Sequence, residues 1–220
     1  MPPDSAGPAA LSDIVAVSRE TGERLAAFVR LLEKWQKAEN LVAGSTLPGI
    51  WRRHVADSAQ LVPLFPAAAR WLDLGSGGGF PGMIVAILVA DRPGARVHLV
   101  ESNSRKCAFL RTAVRETGAP AVVHQGRIAE VLAGWSEPVD VITARALASL
   151  PDLLRMTGSL IEPERRAAFL KGADYRREIE EAAQSFELDL VIHGSRVADD
   201  SVILEVRRAV AKPEDARSRP

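Results

Sequence analysis

The chain has 220 residues, 47% of them apolar and 25% charged, the balance of an ordinary soluble globular protein and not of a disordered or fibrous one. Lysine plus arginine and aspartate plus glutamate number 28 each, which argues against a nonspecific nucleic-acid coater but allows local basic patches on one defined RNA. The single cysteine, Cys107, excludes an internal disulfide and a cysteine-based zinc site, and no metal ligand set is expected.

The opening Met1-Pro2-Pro3-Asp4-Ser5 lacks the basic start and apolar core of a signal peptide. Residues 1–10 are rich in proline, alanine and glycine, and 1–19 are expected to be a flexible N-terminus. Leu25, Phe28, Val29, Leu32 and Trp35 recur at helical spacing and predict a helix over Thr21–Asn40, with Trp35 in the core. A second helix is expected over Ile50–Leu61, ended by Pro63 and Pro66. Together they predict a helical cap over residues 20–66.

From Arg70 the pattern alternates. Strands are predicted at Arg70–Leu74, Arg96–Glu101, Ala121–His124, Val139–Thr143, Ala167–Lys171, Glu187–His193 and Ser201–Val206. Helices are predicted at Pro81–Ala90, Ser104–Thr117, Arg127–Ala133, Ser149–Thr157 and Tyr175–Ser185. Strands separated by helices imply right-handed crossovers and an α/β, Rossmann-like, mostly parallel sheet. Only Gly194–Asp200 separates the last two strands, too few residues for a crossover helix, so they should pair antiparallel and give seven strands with one reversed. This domain is placed at 67–210, with a disordered tail at 211–220. The longest apolar run, Met83–Ala90, falls short of the roughly 18–20 residues that span a bilayer, so a cytoplasmic protein without membrane contact is expected.

The first strand runs Trp71-Leu72-Asp73-Leu74 into Gly75-Ser76-Gly77-Gly78-Gly79-Phe80-Pro81-Gly82, a turn dense enough in glycine for backbone to approach a ligand closely. The second strand ends at Glu101, 26 positions after Gly75 (101 − 75), where a carboxylate can accept hydrogen bonds from both ribose hydroxyls of an adenosine. Two cofactors fit this pair. Gly77 to Gly82 matches G-x-G-x-x-G literally and favours NAD or FAD, although the match starts three residues after the strand. The Asp73-x-Gly75-x-Gly77-x-Gly79 pattern looks instead like the first motif of class I S-adenosylmethionine methyltransferases. No Walker-type loop is present.

Further residues carry a specific resemblance. Trp35 with Asn40-Leu41, Arg53-His54-Val55-Ala56-Asp57-Ser58, the glycine loop through Phe80-Pro81-Gly82, Glu101, Lys106, Phe109-Leu110, Thr143-Ala144-Arg145-Ala146 and Leu170-Lys171-Gly172 follow one another from about residue 30 to about 208. In that order they resemble the bacterial small-subunit rRNA methyltransferase G family, also called glucose-inhibited division protein B. The resemblance implies a class I methyltransferase fold. It also implies S-adenosylmethionine as cofactor, and methyl transfer to N7 of one guanosine in the decoding-region loop of 16S rRNA. It further implies cofactor contacts at Gly75, Phe80, Ile128, Ala129 and Arg145, within a pocket that also holds Gly77 and, by the strand-end argument, Glu101. Gln36 departs from the family, which usually has asparagine there, and Arg127 stands where many class I enzymes have an acidic residue for the adenine amino group.

Guanine N7 has an exposed lone pair and needs no general base, only alignment and exclusion of water. The sequence shows no acid–base or nucleophilic constellation, so no catalytic side chain is assigned. Arg53 and His54 are candidate substrate contacts; unaided, His54 and Asp57 at i, i+3 read as a local pair. Lys171, at a strand end, is a candidate phosphate contact, as are Arg52-Arg53, Arg105-Lys106 with Arg111 and Arg115, and Arg165-Arg166. The expected partner is 16S rRNA within the small ribosomal subunit, with no DNA and a monomeric enzyme. An NAD(P)-dependent oxidoreductase and a non-catalytic RNA-binding module are the competing functions.

Overall fold

The computed structural model describes residues 7–162 and 164–213; the expectations for residues 1–6 and 214–220 lie outside them. A short 3-10 turn at Gly7–Leu11 leads in; its Leu11 is fully buried and Ile14, Val15 and Val17 pack half-buried against the same core, so this part of the stretch expected to be flexible is anchored by apolar side chains. Helix α1 (Arg19–Gln36) starts two residues before the predicted Thr21 because Ser18 caps it, its Oγ accepting from the Thr21 N–H at 3.1 Å. The predicted second helix is broken into a π-helical turn (Trp51–Ala56), α2 (Asp57–Ala59) and α3 (Leu61–Leu64), with Pro63 inside α3 rather than ending it.

The sheet contains β1 (Arg70–Leu74), β2 (Arg96–Glu101), β3 (Ala121–Gln125), β4 (Val141–Arg145), β5 (Arg166–Lys171), β6 (Phe186–Gly194) and β7 (Val202–Ala211). Between them run α4 (Gly82–Leu88), α5 (Ser104–Thr117), α6 (Ile128–Ala133), α7 (Leu150–Thr157) and α8 (Tyr175–Ser185). The spatial order is β3-β2-β1-β4-β5-β7-β6, parallel from β3 to β5, with β7 antiparallel to both β5 and β6. The expected hairpin of the last two strands is present, with its second strand running on to Ala211, one residue into the expected tail.

β4 is displaced by two residues from Val139–Thr143. Asp140 is not a ladder residue but a clasp: its Oδ2 accepts from the Ala69 and Arg70 N–H groups at 2.9 Å, and its Oδ1 takes the Arg70 guanidinium. The strand then extends through Arg145, which pairs with Leu170.

Strand side chains alternate between two cores, as a period of two demands. Trp71, Val97, Leu99, Val141, Ala168, Leu170 and Ile203 face one core, with α1, α4 and α5. Leu72, Leu74, Val100, Ile142, Ala144, Ala167, Phe169 and Leu204 face the other, with α7 and Ala182 of α8. The cap belongs to the first: Phe28 of α1 lies 5.5 Å from Phe80 and 6.0 Å from Phe109, centroid to centroid, and Trp35 lies 5.8 Å from Phe109. Each fully buried ring or leucine contributes about 1.5–3 kcal/mol, so cap and sheet are joined by much of the apolar stabilisation. No helix among the described residues is long and apolar enough to cross a membrane.

Candidate functional site: a cofactor cleft and its arginine clasp

The polypeptide reverses direction about β1, whose neighbours are β2 and β4, and ligands bind at the strand C-termini beside such a switch point. A cleft of about 1300 Å³ opens there, lined by Gly75, Gly77, Phe80, Glu101, Ile128, Ala129 and Arg145. These seven residues, expected from sequence to hold a cofactor, are thus brought together.

The glycine loop takes left-handed backbone at Gly75 (φ 66°), Gly77 (φ 53°) and Gly79 (φ 88°). A Cβ on Gly77 would meet nothing nearer than the Gly75 carbonyl oxygen at 3.7 Å, so this position borders open space in the cleft. A Cβ on Gly75 would stand 2.6 Å from Leu147 Cδ1, so this glycine is required first by packing against the loop after β4. Gly78 lies under the cap, where a Cβ would sit 2.7 Å from the Leu41 carbonyl oxygen.

Glu101, 8% exposed, fixes the loop as well as the cleft wall. Its Oε2 accepts from the Gly77 N–H at 2.9 Å and its Oε1 from the Asn103 N–H at 2.7 Å. Each oxygen keeps a second lone pair, which suits two adjacent hydroxyl donors. The open space beside Gly77 and this carboxylate fit an adenosine-bearing cofactor. Beneath the loop Asp73 is buried: Oδ1 accepts from the Thr143 hydroxyl at 2.8 Å, while Oδ2 has no hydrogen-bond partner among the described residues. Burial pushes its carboxyl up to about 6, against the opposing pull of its hydrogen bonds.

Arg145 ends β4 and is clasped by the π-helical turn of the cap. Its Nη1 lies 3.3 Å from both Asp57 Oδ2 and the Arg53 carbonyl oxygen, and its Nη2 lies 2.6 Å from His54 Nδ1. Arginine only donates, so Nδ1 is the acceptor and the imidazole proton sits on Nε2, which reaches Thr46 Oγ1 at 2.8 Å. Burial first, then the Arg145 and Arg53 charges, lower His54 to about 3 and keep it neutral. The Phe80 ring completes the clasp, 5.2 Å from Arg145 Cζ and 5.0 Å from the His54 ring. His54 and Asp57 are therefore not a local pair: both serve an arginine 91 and 88 positions away.

Of the other expected substrate contacts, Arg53 is exposed and gives the clasp only its carbonyl. Lys171 is 8% exposed, with Nζ held at 2.6 Å by both the Ala148 carbonyl and Glu178 Oε2, so its ammonium is committed internally. Arg165 immediately precedes β5 and Arg166 begins it, at the end of the sheet opposite the cleft. Arg105 is paired with Glu39 of the cap at 3.3 Å.

Sequence reasoning missed the cap loop. Leu41, Val42, Ala43 and Thr46 line the cleft, and Gln36 shapes their approach: its Oε1 accepts from the Leu41 and Val42 N–H groups at 3.0 Å, and its Nε2 donates to the Val42 carbonyl at 2.8 Å. The signals there, Gln36 near the end of the helix and Asn40-Leu41 in the family pattern, did not by themselves put the loop over the cleft.

An O-methyltransferase from Bacillus cereus in complex with SAH shares the fold, with a TM-score of 0.59 at 15% identity over 89% of this chain and 94% of that one. Sheet order, switch-point cleft and loop are those of the class I S-adenosylmethionine-dependent methyltransferases. The family model described as rRNA small subunit methyltransferase G matches residues 21–200. Ribosomal RNA small subunit methyltransferase G of Brucella canis is 50% identical over 195 residues, 88% of this chain and 90% of that protein. That of Bradyrhizobium sp. (strain BTAi1) is 46% identical over 202 residues, 92% and 91% of the respective chains. The chain belongs to the rRNA small subunit methyltransferase G family: it is an S-adenosylmethionine-dependent rRNA methyltransferase, and the dinucleotide alternative falls away.

Proposed function

We propose that the enzyme methylates N7 of a single guanosine in the decoding-region loop of 16S rRNA, presented within the small ribosomal subunit, and that it works as a cytoplasmic monomer. Family membership supports the ribosomal substrate. The observation that favours N7 is the state of His54. It is the imidazole lining the cleft, both its nitrogens are engaged, and it stays neutral down to about pH 3, so it offers no general base near neutrality. An acceptor with its own lone pair fits such a site.

Bound in the cleft, S-adenosylmethionine would supply an electrophilic methyl group to an acceptor nitrogen with a free lone pair and would depart as the neutral thioether. The protein contributes orientation and dryness. Glu101 would hold the ribose hydroxyls, and Ile128 and Ala129 the base of the cofactor, while the Leu41–Val42 loop and Phe80 keep water from the reacting pair. Arg145, already clasped, presents fixed positive charge at the wall of the cleft.

The test is incubation with methyl-labelled cofactor and small subunits from cells lacking the enzyme, followed by mapping of the labelled nucleotide. Label at one guanosine N7 in that loop is expected; label at another atom or nucleotide overturns the assignment. Label on naked 16S rRNA alone would overturn the assembled-subunit part.

A further inference from the structure

His54 stands between two walls of the cleft that share no hydrogen bond of their own among the described residues. On one side is Arg145, at the end of β4; on the other is the cap loop, with Ala43 and Thr46 on the cleft. The loop enters a 3-10 turn (Gly44–Gly49) at Ala43. The Ala43 carbonyl accepts from the Thr46 N–H at 2.8 Å and from the Thr46 hydroxyl at 2.7 Å.

The side-chain contacts form one chain with a fixed direction. Arg145 Nη2 donates to His54 Nδ1 at 2.6 Å, His54 Nε2 donates to Thr46 Oγ1 at 2.8 Å, and the Thr46 hydroxyl donates to Ala43. A guanidinium has donors only, so the first link dictates the rest. It demands an acceptor at Nδ1, which places the ring proton on Nε2. Thr46 Oγ1 then receives, and its own O–H is left to face the Ala43 carbonyl. In the other tautomer Nε2 would accept, the Thr46 hydroxyl would have to turn to it, and Ala43 would lose that donor. The imidazole thus has two discrete arrangements, and the placement of Arg145 chooses between them. Asp57 and the Arg53 carbonyl hold Nη1 at 3.3 Å each, while Nη2 serves the ring. Phe80 lies against the imidazole, with 5.0 Å between ring centroids, and restricts its rotation.

We infer that His54 is a positioning residue of the methyltransferase: it transmits the placement of Arg145 to the cap-loop wall at 43–46, so that both sides of the cofactor's seat close as one unit. This rests on the cofactor lying in the cleft, as proposed above, and not on which atom of the RNA accepts the methyl group. A cofactor that fixes Arg145 thereby fixes a loop it need not touch, before any RNA arrives.

A double-mutant cycle between Thr46 and Arg145 tests the relay, read by calorimetry with S-adenosylhomocysteine. Thr46→Val should weaken binding about fivefold in the wild-type background, as for one net hydrogen bond, and less than about twofold once Arg145→Lys has removed the planar fork. Hydrogen exchange gives a reading without cofactor: amides at 42–46 should exchange about fivefold faster in Arg145→Lys, with those of β1 and β2 unchanged. In His54→Asn the amide oxygen can replace Nδ1 for Arg145, but nothing reaches Thr46. There Thr46→Val should cost less than about twofold, whereas a His54 that merely supports Arg145 predicts the full loss. Equal losses in both Arg145 backgrounds would overturn the relay, as would loop exchange indifferent to Arg145→Lys or a wild-type ring protonated on Nδ1 by NMR. Loop exchange that follows Arg145 while Thr46→Val leaves affinity unchanged in every background would overturn the link to the cofactor's seat.

Discussion

Arg145 Nη1 lies 3.3 Å from Asp57 Oδ2, joining the end of β4 to the helical cap through a pair that is 17% exposed on each side. Burial raises the Asp57 carboxyl and lowers the Arg145 guanidinium, and each charge opposes the shift of the other. Asp57→Ala leaves a shielded guanidinium with its His54 and carbonyl contacts but no counter-charge. Chemical denaturation should show a loss of about 3 kcal/mol, the low end for breaking a buried pair. A change below about 0.5 kcal/mol would mean that solvent already screens the pair.

The clasp also predicts a pH dependence. His54 has a folded pKa of about 3 against its ordinary value of 6.5, so the unfolded chain binds the proton first. Its contribution to stability is full above pH 6.5 and declines as pH falls toward 3. Asp73 has the opposite sign: raised from 3.8 to about 6, it favours the fold below 3.8 and loses that contribution as pH rises through 6. His54→Asn, which keeps an acceptor for Arg145, should flatten the acid limb of a stability–pH curve. Asp73→Asn should remove the fall in stability that this group imposes as pH rises from about 4 to 6, and unchanged curves would contradict both assignments.

Gly75 and Gly77 separate packing from binding. Alanine at either position carries a left-handed strain of roughly 1–2 kcal/mol. At Gly75 the added carbon also meets Leu147, whereas at Gly77 it enters the cleft. Gly77→Ala should therefore lose more cofactor affinity, by calorimetry, per unit of stability than Gly75→Ala. Gly75→Val should lose both, with the damage arising through Leu147.

Gln36→Ala removes three hydrogen bonds to the Leu41–Val42 backbone. Cofactor affinity should fall several-fold while the melting temperature drops by no more than about 10 °C, since the bonds are partly solvated and contribute about 1 kcal/mol each at most. Gln36→Asn, one methylene shorter, should behave like alanine unless the end of α1 unwinds to let it reach.

What the sequence disclosed was local or periodic. Alternation placed β1 and β2 to the residue, and the interval from Gly75 to Glu101 put a carboxylate beside the loop. Three features escaped because they depend on distant partners. His54 and Asp57 looked self-sufficient until β4 brought Arg145 to them, and Lys171 looked like a phosphate contact until α8 supplied Glu178. Val139 and Asp140 read as strand because valine favours sheets, but the Asp140 carboxylate binds the backbone ahead of β1 instead. Leu11, Ile14, Val15 and Val17 follow a proline- and alanine-rich start and mix helical with strand spacing, so their burial gave no single periodic signal.

The position of β7 between β5 and β6 bears on how the molecule is made. β6 leaves the ribosome before β7 yet touches no strand of the sheet except through it. A nascent chain halted near Gly194 would hold an orphaned strand and an uncovered edge at β5, both templates for wrong pairing. Translational pausing in that interval should thus be harmful, and the β6–β7 hairpin is the natural place for a chaperone to be needed.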